Sequence, residues 1–353
     1  VPDSAACNTA VDLAKKYSHP GTVKFVNAVL RTAVREPERV KFPEGKGHAT
    51  EGLALASQHP QWLVKRWVKA FGFEETQSLC DFNNGQALLS VRANTLRADR
   101  DTLLAALKEA GTQAEPSKWT PEGVIITAHG SLDRLQPLQD GLCQVQDESS
   151  MLVAHVVDPQ PGEFVIDCCS APGGKTTHLA ALMQDKGRIL AGDIYEHKID
   201  RIQENADRLG ISIIETQLLD AREVGQSYPA QADRVLVDAP CSGLGVLRRK
   251  PDARWNKSEA EISELPALQH AIIESAAAAV KPGGVLVYST CTIEPAENQA
   301  IVEAFLAKHP QFQLEPAGDY LPVKRPEAMV QLYPQRDGTD GFFIARMRRS
   351  LEA

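Results

Sequence analysis

The chain has 353 residues, of which 43% are hydrophobic and 24% are charged. These are ordinary values for a globular protein, and a chain of this length predicts about two or three domains. The absence of a bilayer-length apolar run and of a signal-peptide pattern argues against a membrane or secreted protein. The seven cysteines are an odd number without a C-x-x-C pair, so we expect reduced thiols in a cytoplasmic protein, without disulfides or a metal site.

The formal net charge of −8 argues mildly against nucleic-acid binding. Net charge is nevertheless a poor guide when basic residues are clustered, because a phosphate backbone responds to local charge. Basic clusters occur at Lys65-Arg66-Lys69, Arg92-Arg97-Arg100, Arg248-Arg249-Lys250-Arg254 and Arg346-Arg348-Arg349. Most clusters of this kind are solvated faces, but the third lies next to the residues that carry the candidate chemistry.

Helical patterns fill the first part of the chain. Hydrophobic periodicity over residues 8–34 predicts a helical region that His19-Pro20-Gly21 divides into two helices. Residues 36–51 are rich in Pro, Gly and charge and predict a linker. Residues 62–71 predict an amphipathic helix whose tryptophans we expect in the core. Because the chain begins at Val1 within a helical pattern, we expect the natural start to precede it.

A small α+β domain is predicted next. Residues 88–94 and 123–127 have the character of strands, and residues 102–110 predict a helix between them that Gly111 ends. Strand, helix and strand in a region of this size are typical of a compact α+β unit. A helix predicted over residues 147–157 leads from it into the rest of the chain.

The rest of the chain repeats strand and helix, which is typical of a doubly wound parallel sheet. It opens with a strand over residues 164–168, a tight turn and a helix over residues 176–183. Further strands are predicted over residues 188–193, 211–218, 234–238, 285–290 and 342–347, and helices over 196–209, 265–280 and 295–308. We expect the last strand to pair at an edge of the sheet.

The turn after the first strand of this region predicts a nucleotide-type pocket. Asp167 ends the strand, and Pro172-Gly173-Gly174 form a turn without side-chain bulk, so backbone N–H groups can approach a ligand. Gly174 and Lys175 are similar to the end of a phosphate-binding P-loop, but Cys169 replaces its first glycine. A cofactor with an adenosine end and no phosphates, such as S-adenosylmethionine, fits better. Taken alone, the turn fits an ordinary βα connection equally well.

Acidic residues follow the next two strands. Asp193 ends its strand about twenty residues after the glycine-rich turn, where a carboxylate can accept from both hydroxyls of a ribose. Asp220 follows the third strand and is placed to accept from an adenine amino group. The second assignment is weaker, because aspartate is also a common turn residue.

Two cysteines follow the last two strands of the parallel pattern. Asp238-Ala239-Pro240-Cys241 continues the fourth strand, and Ser289-Thr290-Cys291 ends the fifth. A buried cysteine is ordinarily a small hydrophobic residue, but two at the ligand-binding edge, beside an aspartate and a basic loop, favour chemistry. Carbon 5 of a pyrimidine is a poor nucleophile, and a thiolate that adds to carbon 6 activates it for methylation.

Segments 167–179, 238–243, 248–255 and 288–293 together resemble the Sun (Fmu) family of RNA 5-methylcytosine methyltransferases, and the resemblance covers nearly the whole chain. It implies a cytosine-5 methyltransferase acting on ribosomal small-subunit RNA with S-adenosyl-L-methionine. Cys291 is then the nucleophile, Cys241 assists product release and Asp238 belongs to the catalytic group. Residue types alone leave the order of the cysteines open, because DNA cytosine methyltransferases use their Pro-Cys thiol as nucleophile. The residues implied to hold the cofactor are Cys169, Ser170, Ala171, Pro172, Gly173, Gly174, Lys175, Asp193, Asp220 and Asp238.

The resemblance also implies the domain organisation. A partial NusB-like helical domain and a linker are expected over residues 1–58, and Phe25–Arg31 is similar to its later part. A small RNA-recognition-like α+β subdomain is expected over 59–140, and a Rossmann-like methyltransferase domain over 141–353. The chain lacks the first part of the NusB-like domain, which implies altered RNA affinity or substrate choice if that part was removed.

The predicted function is methylation of a base that is presented unstacked, because a base inside a helix is out of reach. Arg248, Arg249, Lys250 and Arg254 are predicted to hold the RNA backbone. Three alternatives stay open: the same chemistry on transfer RNA, a non-catalytic RNA-binding ribosome assembly factor, and a P-loop-like nucleotide hydrolase, which the missing glycine disfavours. RNA is the expected partner of a monomer that binds no membrane.

Overall fold

The structure is a computed structural model that describes residues 2–39, 41–43, 47–128 and 130–351. Backbone contacts divide the chain into two compact units, Val1–Phe73 and Glu74–Ala353. Part of the predicted linker over residues 36–51 lies outside the described residues. Among the helices in the described ranges, none has the length and apolar character that crossing a bilayer requires.

The first unit is helical. Its helices are α1 (Asp3–Tyr17), α2 (Pro20–Arg35), α3 (Ala49–Ala56) and α4 (Gln61–Phe71). The predicted division at His19 is confirmed, because its Nδ1 accepts from the Gly21 amide at 3.1 Å and Pro20 occupies the first helical position. Trp67 is fully buried, as predicted, and Trp62 is half-buried. Helix α3 begins within the last three residues of the predicted linker and is not predicted, since its 8 residues are too few to show a clear period.

A four-stranded antiparallel sheet opens the second unit, after a helix that begins at the boundary between the units. The elements are α5 (Phe73–Asn84), β1 (Leu89–Ala93), α6 (Arg100–Glu109), β2 (Gln113–Pro116), β3 (Gly123–Ala128), α7 (Gln136–Gln139) and β4 (Cys143–Val145). The strand order is β2-β3-β1-β4, with antiparallel pairing throughout. Both predicted strands are confirmed. The edge strands β2 and β4 are short and largely polar or exposed, so the sequence pattern does not reveal them.

A doubly wound α/β sheet forms the rest of the second unit, as predicted. Its strands are β5 (Phe164–Asp167), β6 (Arg188–Asp193), β7 (Ile214–Leu218), β8 (Ala232–Asp238), β9 (Val280–Thr290), β10 (Phe312–Glu315), β11 (Val330–Leu332) and β12 (Phe342–Arg349). Its helices are α8 (Glu148–Val157), α9 (Gly174–Leu182), α10 (Glu196–Leu209), α11 (Val224–Ser227), α12 (Glu259–Ala279), α13 (Gln299–Lys308) and α14 (Pro334–Asp337). The order is β10-β12-β9-β8-β5-β6-β7, with β11 paired to β12.

Alternation along the central strands divides the core into two layers. Val165 and Leu236 pack on one face with α8, α9 and α10, whereas Ile166 and Val237 pack on the other with α12 and α13. Both faces are covered, which is why the strands are continuously apolar. Strands β5, β6, β7, β8 and β9 are parallel, so their carboxyl ends lie at the same edge.

The last strand corrects one prediction. Strand β12 was expected at an edge, but it lies between β9 and β10 and pairs antiparallel with both. Its first six residues are buried, which is the burial of an interior strand. The edge is instead taken by β10, four residues that the sequence pattern does not identify as a strand.

Helix α12 begins earlier than the predicted residue 265. Ser258 and Glu261 form a reciprocal capping box, which provides acceptors for the first backbone N–H groups. Pro266, one residue after the predicted start, lies inside the helix.

Candidate active site

Aspartates stand at the carboxyl ends of four adjacent strands. Asp238 ends β8, Asp167 ends β5 and Asp193 ends β6, whereas Asp220 lies just beyond the end of β7. Parallel pairing in the order β8-β5-β6-β7 brings them to one edge of the sheet. The edge therefore has the acidic residues that could bind hydroxyl groups and a cationic group of a ligand.

Asp167 is fully buried at the centre of this edge. Thr176 Oγ1 donates to its Oδ2 at 2.7 Å, but its Oδ1 has no hydrogen-bond partner among the described residues. Burial raises the pKa of Asp167 to about 7, and the nearby charge of Asp238 adds to that effect. A buried carboxyl oxygen without a partner is costly, so a ligand group that donates to it would be favoured.

The turn between β5 and α9 has the conformation that its glycines allow. Gly173 has φ 98°, a left-handed conformation that side chains disfavour, and it caps the amino terminus of α9. Lys175, in the first turn of α9, places its Nζ 2.8 Å from Asp238 Oδ2. Ser289 Oγ donates to the other oxygen of Asp238 at 2.8 Å.

Lys175 is one half of a largely buried ion pair. Although burial opposes it, the carboxylate of Asp238 raises the pKa of Lys175, so the ammonium group stays charged. Its Nζ also lies 5.1 Å from the centre of the Phe342 ring. The lysine that appears surplus in the P-loop comparison is therefore the counter-charge of an aspartate.

The two strand-end cysteines meet. Asp238 on β8 is paired in register with Ser289 on β9, and the Sγ atoms of Cys241 and Cys291 lie 3.4 Å apart. Either sulfur can be the donor; with Cys241 as the donor, the hydrogen bond lowers the pKa of Cys291 against the effects of burial and of the Asp238 charge, and the charges of Lys175 and Lys250 support it. The same hydrogen bond, followed by burial, raises the pKa of Cys241. Cys291 is consequently the thiol that ionises more easily.

A cavity of about 260 Å³ lies beside these groups. It is lined by Asp167, Asp238 and Cys291, and by the predicted cofactor residues Cys169, Ser170, Ala171, Pro172, Gly174 and Lys175. The small sheet contributes the segment from Gln144 to Asp147, which the sequence does not mark as functional. Asp340 and Phe342, before and at the start of β12, also line it, as do Ser149 and Ser150 of α8 and Val246, Arg249 and Lys250 of the basic loop.

Asp193 and Asp220 lie apart from this cavity. Asp193 is buried and its Oδ1 accepts from the Tyr195 amide at 3.2 Å, with Lys198 Nζ at 3.6 Å. Asp220 is bound by Arg222, whose Nη2 lies 2.6 Å from its Oδ2. The predicted contacts of both aspartates with an adenosine group stay predictions.

Most side chains of the basic loop contact the protein. Arg254 is only 4% exposed and donates to Asn84 Oδ1 at 2.8 Å, so its burial disfavours an RNA contact, and its predicted assignment stays a prediction. Arg248 and Arg249 both bind Asp340, at 3.3 and 2.5 Å. These arginines hold the loop against the protein, because buried guanidinium groups require acceptors.

Arg249 has a second acidic partner, Asp147 Oδ2 at 2.5 Å. Both aspartates that bind it come from distant parts of the sequence, so no local signal marks them. Lys250 is exposed, and no acidic side chain among the described residues forms an ion pair with it.

A second cluster of ionisable groups lies between the small sheet and the large one. Glu122 Oε1 is 2.9 Å from His155 Nε2 and 3.0 Å from His178 Nε2, and in the described part of the chain these atoms have the spacing of metal ligands. Burial lowers the pKa of His178 to about 3, and the positive charge of Arg92 adds to it. A cation would be repelled by Arg92, so Glu122 fits better as the counter-charge of this buried arginine.

Fold and site together define a doubly wound methyltransferase with a paired-cysteine centre. Three family models match the chain: the 16S rRNA methyltransferase RsmB/F over residues 154–348, the RsmF/B-like ferredoxin-like domain over 59–133, and the NusB family over 1–35. The chain therefore belongs to the RsmB/F family of ribosomal RNA methyltransferases. The predicted family resemblance is confirmed. The division at 1–58, 59–140 and 141–353 stays a prediction.

Relatives support this assignment. A protein of Bacillus subtilis (strain 168) named "Probable ribosomal RNA small subunit methyltransferase B" is 41% identical over 99% of this chain and 79% of its own. The "Ribosomal RNA small subunit methyltransferase B" of Pseudomonas syringae pv. tomato is 33% identical, over 98% and 77% respectively. The protein is accordingly an RNA methyltransferase.

Solved structures have the same fold. The crystal structure of PH0851 aligns with a TM-score of 0.84 and 34% identity, covering 96% of this chain and 75% of that one. The structure of NSun6 from Pyrococcus horikoshii, solved with SFG, aligns with a TM-score of 0.75 and 24% identity, over 83% and 99%. The latter similarity concerns the fold alone.

Proposed function

We propose that the protein transfers a methyl group from S-adenosyl-L-methionine to carbon 5 of a cytosine in ribosomal small-subunit RNA, through a covalent adduct with Cys291. The observation that carries this proposal is the pair of thiols 3.4 Å apart, beside the ion pair of Lys175 and Asp238. A methyltransferase acting on a nucleophilic nitrogen or oxygen has no need of two thiols at this position.

The residues at the sheet edge fit the cofactor. We assign the βα turn from Cys169 to Lys175, with Asp193 and Asp220, to its binding. Oδ1 of Asp167 is an acceptor that has no donor among the described residues, and the turn at Gly173 leaves room for close approach of a ligand. Bound S-adenosylmethionine supplies a methyl group on a positively charged sulfur. The acidic edge suits that charge and the hydroxyls of the ribose.

Cys291 is the better nucleophile of the two thiols. Cys291 lines the cavity, whereas Cys241 is not among the lining residues, and the Cys291 sulfur can accept a hydrogen bond from the Cys241 thiol 3.4 Å away. A thiol that accepts a hydrogen bond near two lysines ionises more easily, and the thiolate is the reactive form. The ranking implied by the family resemblance is thereby supported on physical grounds.

The first step adds the Cys291 thiolate to carbon 6 of the ring. A carbon–sulfur bond forms, and the electrons of the carbon 5–carbon 6 double bond make carbon 5 nucleophilic. Carbon 5 could then take the methyl group, whose bond to the donor sulfur would break and leave its electrons on S-adenosylhomocysteine. Lys175 and Asp238 line the same cavity and provide a donor and an acceptor for the polar edge of a cytosine. These contacts would hold the base while the bond forms.

Release of the product breaks the bond between sulfur and carbon 6. The Cys241 thiol gives its proton to the departing Cys291 sulfur, and the resulting Cys241 thiolate takes the proton from carbon 5. The electrons of the carbon–hydrogen bond then restore the ring double bond. Cys241 thus relays one proton and ends as it began, which the 3.4 Å separation of the two sulfurs permits.

The main proposal and its alternative differ in the RNA substrate, which is ribosomal RNA in the first and transfer RNA in the second. The small sheet contributes residues 144–147 to the cavity wall, so it is placed to contact the nucleotides around the target. Exposed Lys250 is assigned to the RNA backbone. A non-catalytic assembly factor is disfavoured, because such a factor has no use for an ionisable thiol facing a cavity.

The test is methylation of defined RNA by the purified protein. Unmodified small-subunit ribosomal RNA and a pool of unmodified transfer RNAs are each incubated with tritiated S-adenosylmethionine, and bisulfite sequencing then locates 5-methylcytosine. We expect label in the ribosomal RNA alone, at a cytosine. Label in transfer RNA only would support the runner-up, and absence of 5-methylcytosine in both would overturn the proposal.

A further inference from the structure

Two buried side chains form hydrogen bonds with the backbone of the loop that carries Cys241. Gln269, on α12, and Glu297, just before α13, are both completely buried. Gln269 Nε2 donates to the carbonyl of Pro240 at 3.0 Å and to Glu297 Oε2 at 2.9 Å. The amide of Ser242 donates to the same Oε2 at 2.9 Å. Both peptide groups that flank Cys241 are therefore fixed by this pair of side chains.

The loop that carries Cys291 is joined to the first loop by its own contacts. The hydroxyl groups of Ser242 and Thr292, which each follow a cysteine, lie 2.7 Å apart in the buried interior. The Gly245 amide donates to the carbonyl of Cys291 at 3.0 Å. Hydrogen bonds between residues near the two cysteines therefore set the distance between the thiols, and Glu297 holds the loop that carries Cys241.

We propose that Glu297, anchored by Gln269, is a positioning residue for the release step, acting through Cys241 to keep its thiol in reach of the Cys291 sulfur. The proposal rests on the proposed function, because it concerns release of the covalent adduct. A charge-assisted hydrogen bond from a buried amide holds a loop more firmly than a neutral one does. A displacement of about 1 Å in such a centre can cost a factor on the order of a hundred in rate.

The charge of Glu297 serves the same step. The hydrogen bond to Cys291 is the largest cause of the raised pKa of Cys241, and the negative charges of Glu297 and Asp238 add to it. The proton therefore stays on Cys241 until the Cys291 sulfur departs. A neutral residue at position 297 would weaken this effect, whereas the charges that act on Cys291 itself are those of Asp238, Lys175 and Lys250.

A merely structural role would have different consequences. If Glu297 only stabilised the fold, its removal would lower the first methyl transfer and the release of product together. A positioning role acts mainly on release, in which a proton moves between the two sulfurs, and affects the first transfer only through the hydrogen bond between the thiols, which lowers the pKa of Cys291. The covalent adduct is the readout that separates the two, because it accumulates only when transfer continues and release slows.

The experiment uses the full chain, unmodified small-subunit ribosomal RNA and tritiated S-adenosylmethionine. Glu297→Ala, Glu297→Gln and Gln269→Ala are compared with Glu274→Gln, a control on α12 whose carboxylate pairs with His309. Single-turnover methyl transfer, steady-state turnover and the fraction of protein in a slow-migrating RNA adduct on a denaturing gel are measured for each.

For Glu297→Ala we expect methyl transfer within about threefold of the unaltered protein and turnover reduced by about ten- to a hundredfold, with adduct accumulating. Glu297→Gln keeps one acceptor oxygen and should have a smaller effect, and Glu274→Gln should match the unaltered protein. If Glu297→Ala loses its far-ultraviolet circular dichroism, Glu297→Gln is the deciding variant.

Cys241→Ala separates failure of the inference from failure of the proposed function. If Cys241→Ala accumulates adduct while the folded Glu297 variants release product at the unaltered rate, the positioning role is refuted and the covalent mechanism stands. If Cys241→Ala itself yields no adduct, the covalent mechanism is refuted and the role of Glu297 falls with it.

Discussion

Replacing Lys175 by methionine tests the charge arrangement of the site most directly. The ammonium group lies 2.8 Å from Asp238 Oδ2, and the two side chains are 15% and 25% exposed. At this separation and an effective dielectric constant of about 20, the Coulomb attraction is about 6 kcal/mol, of which desolvation of the two ions offsets a large part. Removing one partner of a buried ion pair lowers the free energy of unfolding by about 3–5 kcal/mol. Because both side chains are partly exposed, we expect a decrease of about 3 kcal/mol for Lys175→Met.

The measurement is urea denaturation of Lys175→Met and of Lys175→Met combined with Asp238→Leu. We expect the double variant to recover much of the loss, because no charge is left unpaired. Alkylation of Cys291 by iodoacetamide should also require a higher pH in the single variant, since Lys175 helps to lower the pKa of that thiol. If Lys175→Met lowers the free energy of unfolding by less than about 1 kcal/mol, as is typical of exposed ion pairs, Lys175 and Asp238 do not behave as a buried ion pair.

Further predictions concern the thiols and their surroundings. Cys291→Ala should abolish methylation and Cys241→Ala should accumulate an RNA–protein adduct on a denaturing gel, whereas Cys7→Ala, in the helical unit, should change neither. Because the two sulfurs lie 3.4 Å apart, the thiol oxidant diamide should join them in a disulfide, detected by mass spectrometry and reversed by dithiothreitol. Burial raises the pKa of Asp167 to about 7 in the folded state, so between about pH 4 and 7 the native state binds more protons than the unfolded state, and the free energy of unfolding decreases as the pH rises. Asp167→Asn should remove up to about 4 kcal/mol of this decrease, which urea denaturation at several pH values would measure. Gly245→Ala would drive its Cβ into the carbonyl of Gly341 and bring it 2.9 Å from the Cys291 carbonyl oxygen. Overpacking against two backbone groups should cost about 3 kcal/mol and reduce methylation, and an unchanged melting temperature and rate would be the contrary result.

Local patterns predicted most of the secondary structure and the positions of the reactive residues. The strand, turn and helix around Gly173 follow from an apolar run, a Pro-Gly-Gly turn and a helical period, all within about twenty residues. Errors arose where an element is too short or too irregular to show a period. Strands β2, β4 and β10 are short, and Pro266 lies inside a helix whose capping box begins it earlier.

Contacts between segments that are distant in the sequence are not predicted by local patterns. The predicted RNA contact Arg254 is buried against Asn84, and Arg249 binds Asp147 and Asp340, residues roughly a hundred positions away on either side. The sequence of a basic cluster does not distinguish side chains that are exposed to solvent from side chains that form ion pairs within the protein. Only the packing of the chain determines which of them stay available to a phosphate backbone.

The sequence by itself determined the doubly wound class, the family, the glycine-rich turn and the two strand-end cysteines, because each is a local pattern of residue types. The tertiary structure decided that the thiols meet, that Lys175 is paired with Asp238, and that Glu297 holds the Cys241 loop. The physical reason is that strand order and register set which carboxyl ends are neighbours, and these depend on packing across the whole sheet. Hydrogen bonds between residues about fifty positions apart leave no period in the chain.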